Sequence, residues 1–114
     1  MENLRLLRAK YGKTPAMFVQ HIHRLCKAME QVITVRKMIG AEDGTYVYPY
    51  PYFMQEQGFT ATHCNMVLKQ LRDKDLVCRV ALGKTPFYRL NYQNQEIIDS
   101  GFEDPNELTK DIAI

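Results

Sequence analysis

The sequence predicts a mainly helical α+β domain that closes with a β-hairpin. Three observations predict it: an apolar stripe at helical spacing from Phe18 onward, two shorter helical segments divided by Gly58, and a change to strand-like patterning after Asp75 that Gly83-Lys84 interrupts. A chain of 114 residues can bury one modest core and has no room for a multi-domain enzyme. Its 46% hydrophobic and 25% charged residues suit a folded domain rather than a disordered one.

Residues 1–13 set Leu4, Leu6 and Leu7 among Arg5, Arg8, Lys10 and Lys13, as either a short helix or a basic arm. Thr14-Pro15 then reads as a helix start, a hydroxyl cap before a proline whose missing N–H costs nothing in the first turn. The apolar positions Phe18, Ile22, Leu25, Met29 and Val32 follow in alternating steps of four and three, continuing to Ile39, with Gly40 as the stop. A helix of about 25 residues would span about 37 Å, more than so small a domain easily covers, so these five residues are expected to form a dimer interface. Intrachain core is the alternative use of the same stripe.

Residues 41–45 contain the turn pair Asp43-Gly44. The β-prone run Tyr46-Val47-Tyr48 predicts a strand, kept short or at an edge by Pro49 and Pro51, which cannot donate to a ladder. The alternating Tyr46, Tyr48, Tyr50 and Tyr52 would suit a stacking platform for single-stranded nucleic acid. The favoured reading is a strand passing into a helix begun at Pro51, with its rings around the core. Residues 51–57 form that short helix, Gly58 ends it, and Thr60 caps the next, residues 61–73. Cys64, Val67, Leu68 and Leu71 share the inward face of this second helix, leaving Thr62, His63, Asn65, Met66, Lys69 and Gln70 outward. Two helices about a glycine-containing turn make a helix-turn-helix signature.

Residues 76–82 read as a strand, residues 83–86 as a turn and residues 87–90 as the returning strand, a hairpin with a basic tip. The organisation expected is a basic N-terminal segment (residues 1–13), a folded domain (14–94) and an acidic C-terminal tail (95–114) with partial order at best. Charge follows the same division. Residues 1–40 carry eight Lys/Arg against Glu2 and Glu30, whereas residues 95–114 carry six acids against Lys110, within a net charge of only +2.

The order of long helix, short strand, helix, turn, helix, strand, basic turn and strand resembles a winged helix-turn-helix domain. The segment GFTATHCNMVLKQLRDKDLVCRVALGKTPFYRLNY is similar to the recognition helix and wing of that superfamily. It carries Leu68, Leu71 and Leu76-Val77 in an LxxLxxxxLV run, then an arginine, a glycine-bearing wing turn and YRLN. With AMFVQHIHRL, the acidic-glycine turn, YVYPYPYFMQEQGF and YRLNYQNQE, the pattern over about residues 15–95 is most similar to winged-helix domains of phage and plasmid replication-initiation, or replisome-organiser, proteins. Such proteins commonly have Trp where this chain has Phe53 and Gly-Leu where it has Asp75-Leu76. They often carry further domains that bind a helicase or its loader, for which this chain lacks room.

The resemblance implies that residues 61–73 enter the major groove of double-stranded DNA. Thr60 and Thr62 would then meet phosphate or base edges, with His63 beside them. Asn65 would pair with adenine, Met66 touch a thymine methyl, and Lys69 reach guanine or phosphate. Lys84 and Thr85 at the wing tip, with Arg79 and Arg89 on its strands, would neutralise flanking phosphates. A solvated polar face and a lysine that guards a strand edge are the plainer readings of the same residues.

No metal site is expected, because His21 and His23 point to different sides of a helix and His63-Cys64 are adjacent. The odd cysteines Cys26, Cys64 and Cys78 form neither a disulfide framework nor a CxxC pair. No GxSxG, HExxH or P-loop occurs, so neither enzyme chemistry nor a cofactor is expected. Neither a membrane span nor a secretory apolar stretch is present, which predicts a cytoplasmic protein, in the host cytoplasm if viral. The function expected is a homodimeric, sequence-specific DNA-binding protein regulating replication or transcription of a phage or plasmid, with a replication or transcription protein as further partner. The alternative is a winged-helix protein-protein interaction module that does not read DNA.

Overall fold

The computed structural model describes residues 2–29 and 46–105. The N-terminal basic residues form a helix, α1 (Arg5–Tyr11), because Leu4 and Leu7 give it an apolar side that is buried against α2 (Lys13–Met29). Gly12 makes the break between the two helices at φ +100°, a left-handed backbone that a side chain would strain. The second helix starts at Lys13, one residue ahead of the expected Thr14 cap, with Pro15 in the first turn, where its missing donor costs nothing.

Phe18, Val19, Ile22 and Cys26 bury the inner side of α2. Phe18 stacks on Phe53 with ring centroids 3.6 Å apart and meets the edge of Phe59. Phe18 and Ile22 are each 0% exposed within one chain, which corrects their assignment to a dimer interface: the chain's own aromatic and aliphatic groups cover them. Leu25 is half-buried against the same core. The Met29 side chain, Val32, the rest of the expected long helix and the turn at residues 41–45 lie outside the described residues.

The expected strand at residues 46–48 is reduced to a single bridge, in which Val47 and Tyr88 exchange both backbone hydrogen bonds at 2.7 and 2.8 Å. Buried Pro49 and the following Pro51 stop the ladder there. The chain then coils through α3 (Tyr52–Glu56), whose hydrogen bonding is of the wider π type, as in the Gln57 N–H donation to the Tyr52 carbonyl. Gly58 turns it at φ +75° into α4 (Ala61–Asp73). Here expectation and structure coincide: the Thr60 hydroxyl accepts from the His63 N–H at 3.1 Å, and Cys64, Val67, Leu68 and Leu71 are buried.

Strands β1 (Val77–Leu82) and β2 (Thr85–Leu90) form one antiparallel pair among the described residues. The turn is tighter than expected, with Gly83 and Lys84 alone at its tip and Gly83 at φ +63°, as the first central position of a II′-type turn requires. Pro86 is tolerated within β2 because it stands opposite Ala81 at a pair that exchanges no ladder bonds.

The acidic tail is shorter than its composition suggests. Asn94 caps α5 (Gln95–Asp99) by accepting from the Glu96 and Ile97 N–H groups, while Ile97, Ser100 and Phe102 are buried. The Asn3 N–H donates to the Ser100 carbonyl at 2.8 Å, tying the two ends of the described chain together. The folded unit therefore extends past residue 94, at least to Phe102, and it includes the N-terminal helix. No helix among the described residues is long and apolar enough to cross a membrane.

Candidate nucleic-acid interface

The outward side of α4 presents a set of adjacent hydrogen-bonding groups that the core does not use. Its inward residues recur at helical spacing, so Thr62, His63, Asn65, Met66, Lys69 and Gln70 are all exposed, and Met66 is 65% exposed. Thr60 has one hydroxyl lone pair committed to the cap, which leaves its proton available as a donor. His63 is braced edge-on against Phe59, with ring centroids 4.7 Å apart. Met66, Lys69, Gln70, Asp73 and Lys74 line a shallow open hollow of about 420 Å³ along this side.

Asn65 is the most constrained of these groups. The Tyr50 hydroxyl donates to its Oδ1 at 2.6 Å, and the same hydroxyl lies 3.5 Å from that of Tyr88. Tyr50 is a buried ring held between Tyr48 and Tyr88, and burial beside the Tyr88 hydroxyl pushes its phenol well above the usual 10. It therefore stays protonated and remains a donor. Sequence reasoning missed Tyr50 as a partner of this face: the aromatic alternation shows that some of the rings turn inward, but a bond spanning fifteen residues leaves no local signal.

The hairpin contributes unequally. Residues directly opposite in an antiparallel pair share a face, so Arg79 lies on the same face as its partner Tyr88, the face that carries the Tyr50 contact. Arg79 is exposed, and Lys84 and Thr85 are exposed at the tip. Arg89 belongs to the other face. Period two turns it away from Tyr88, toward Tyr46 and Tyr92, and its Nη2 donates to Asp104 Oδ2 at 3.2 Å. At 7% exposure it is a buried ion-pair partner of the C-terminal segment, which corrects its expected role on the wing.

The N-terminal cations are also divided. Arg5, Arg8 and Lys13 are exposed, while Lys10 pairs with Glu96 at 3.1 Å. Tyr11 donates to the same carboxylate at 2.7 Å, and these bonds, Tyr11 first, hold Glu96 below the usual carboxylate range.

The histidines of α2 separate as their spacing predicts. His21 stacks on Tyr52 at 3.7 Å, and His23 lies between Tyr92 and Glu2. Among the described residues no three His, Cys, Asp or Glu side chains converge as a metal site would require. Cys26 is buried among core groups, and burial pushes its thiol up to about 12, which makes it inert as a nucleophile.

Comparison with known proteins finds no matching family model, no significantly similar curated protein and no significantly similar solved structure.

Proposed function

We propose that this chain is a sequence-specific double-stranded DNA-binding protein of the winged helix-turn-helix kind. The observation that carries the reading is that the solvent side of α4 is wholly polar apart from Ala61 and Met66, while Arg79 and the Lys84 tip stand on the hairpin that follows it. The element order supports it as well: α2, a bridge strand, a short helical turn, the capped helix α4, and a hairpin whose second strand returns to the bridge. In this reading α4 lies in the major groove, Thr62, Asn65 and Met66 face base edges, and Lys69, Arg79 and Lys84 contact phosphates.

With Phe18 and Ile22 committed to the core, the docking unit is the single domain. Two copies, where they bind together, would sit on half-sites about 10 to 10.5 bp apart and be ordered by the DNA. Control of replication or transcription is the role this binding would serve, following the resemblance in motif order to replication-initiation domains.

The test is binding to a random-sequence duplex over a range of salt concentrations, followed by selection of bound sequences and the mass of the bound species. The reading expects salt-sensitive binding and an enriched site. Absence of binding at low salt overturns it in favour of a protein-interaction module, for which the mixed charge of Lys69, Asp73 and Lys74 around Met66 would be the docking surface.

A further inference from the structure

We infer that Tyr50 is a positioning residue for recognition: its hydroxyl fixes the Asn65 side-chain amide in the one orientation that accepts adenine and refuses guanine. The inference rests on the DNA reading proposed above and assigns the base chemistry of one position in the site.

A surface asparagine can turn its amide over and exchange the positions of its oxygen and nitrogen at little cost. Turning the Asn65 amide over would place Nδ2 against the Tyr50 oxygen at 2.6 Å, a separation that suits O–H···O and is shorter than N–H···O bonds usually are, and would leave the Tyr50 proton only the Tyr88 hydroxyl at 3.5 Å. Tyr50 is itself held by packing. It is 7% exposed, its ring is flanked by Tyr48 at 4.9 Å and Tyr88 at 6.4 Å, and the Val47 bridge fixes the backbone just before it. The helix supplies the other half of the geometry, since Cys64 and Leu68, on either side of Asn65 along α4, are buried.

An amide oxygen has two lone pairs. With one taken by Tyr50, the other remains for the N6 amino group of adenine, and the Asn65 Nδ2 protons remain for its N7. Guanine presents O6 where adenine presents the amino group, so the fixed carbonyl would face an acceptor with an acceptor. An unfixed amide escapes that clash by turning Nδ2 toward O6. Tyr50 therefore adds selectivity more than affinity, and it joins the bridge and β2 to the recognition helix through the Tyr88 hydroxyl.

The experiment compares the wild-type chain with Tyr50→Phe, which keeps the ring and removes only the hydroxyl, and with Asn65→Ala. Each is titrated with the selected duplex, with duplexes carrying an adenine-to-guanine change at each enriched adenine in turn, and with random-sequence duplex. Tyr50→Phe is expected to reduce adenine-over-guanine discrimination at one position by about tenfold, leaving the other positions and random duplex unchanged. Asn65→Ala should remove discrimination at that same position. Undiminished discrimination in Tyr50→Phe, with Asn65→Ala still defective, overturns the role of Tyr50 and leaves the DNA reading standing. A wild-type chain that binds no duplex overturns both.

A readout that needs neither DNA nor a variant is the Tyr50 hydroxyl proton in the nuclear magnetic resonance spectrum of the wild-type chain. It should exchange slowly and lie close to the Asn65 side chain. A rapidly exchanging proton overturns the inference by itself.

Discussion

His23 shows how much a single buried residue is asked to do at the meeting point of the two ends of the described chain. It is 2% exposed, with Nδ1 2.7 Å from the Tyr92 hydroxyl and Nε2 3.0 Å from a Glu2 carboxylate oxygen. The Glu2 carboxylate can only accept, so the neutral imidazole carries its proton on Nε2 toward Glu2, and Nδ1 accepts from the Tyr92 hydroxyl, whose proton burial holds in place. Burial also holds the imidazole below its usual 6.5, with Lys27 adding to the effect and Glu2 and Asp104 opposing it. A histidine lowered in the folded state takes up its proton more readily when unfolded. Its contribution to stability is therefore complete above 6.5 and is lost as the pH falls through 6.5 toward the folded value. Denaturant midpoints measured downward from above 6.5 should fall for the wild type and fall less for His23→Gln. His21, lowered by burial in the same direction, contributes to the remainder, and Glu96 adds its loss only below its usual 4.5. Equal slopes for the two chains would show that His23 takes no part. The separation of His21 from His23 was legible in their spacing along a helix. The turning of Arg89 away from Tyr88 was equally legible in the period of a strand, but its identity as a basic residue near the wing outweighed the alternation.

At the scale of elements, α4 was the most readable because its signals are local: the cap is three residues from the donor it satisfies, and the four inward residues repeat at helical spacing. Its C-terminus was readable only in part. Asp75, just past it, has a backbone φ of +58°, in the left-handed region that side chains rarely adopt. The Leu76 N–H donates to the Leu71 carbonyl and the Asp75 N–H to that of Arg72, the paired bonds of a Schellman motif with Asp75 in the left-handed position. The Asn91 and Asn94 side chains both donate to the Asp75 carbonyl, which pins the strained residue. Asp75→Gly should thus raise stability by about 0.5–1 kcal/mol in urea denaturation, because glycine takes this conformation without the Cβ penalty. A loss of stability would mean that the carboxylate itself is used. The elements that sequence reasoning missed depend on distant partners. The Val47 strand was expected but its partner Tyr88 was not, Asn3 pairs with Ser100, and the burial of Ile97 and Phe102 in the core leaves no periodicity in a segment dominated by acids.

For the molecule as a whole, the weak net charge of +2 becomes informative once the ion pairs are assigned. Lys10 and Arg89 are engaged by Glu96 and Asp104, so the acidic C-terminal segment removes two cations from any electrostatic footprint. Lys69, Arg79 and Lys84 remain exposed on the elements proposed to meet DNA. Each cation that neutralises a phosphate releases a condensed counterion, and the logarithm of affinity falls with that of salt concentration by about 0.9 for each contact on duplex DNA. Three contacts predict a slope of about −3 for one bound chain, shallow for a DNA-binding protein, and about −5 to −6 for two chains on one site. Lys84→Ala should reduce the magnitude by about 1 per chain and weaken binding equally on selected and random duplexes, as a phosphate contact must. Arg89→Ala should leave the slope of the folded protein unchanged, since that guanidinium is buried against Asp104 on the other face of the hairpin. A slope insensitive to Lys84→Ala would take the hairpin tip off the DNA backbone. A slope reduced by Arg89→Ala in a chain that keeps its fold would overturn the division of the two hairpin faces on which the interface is built.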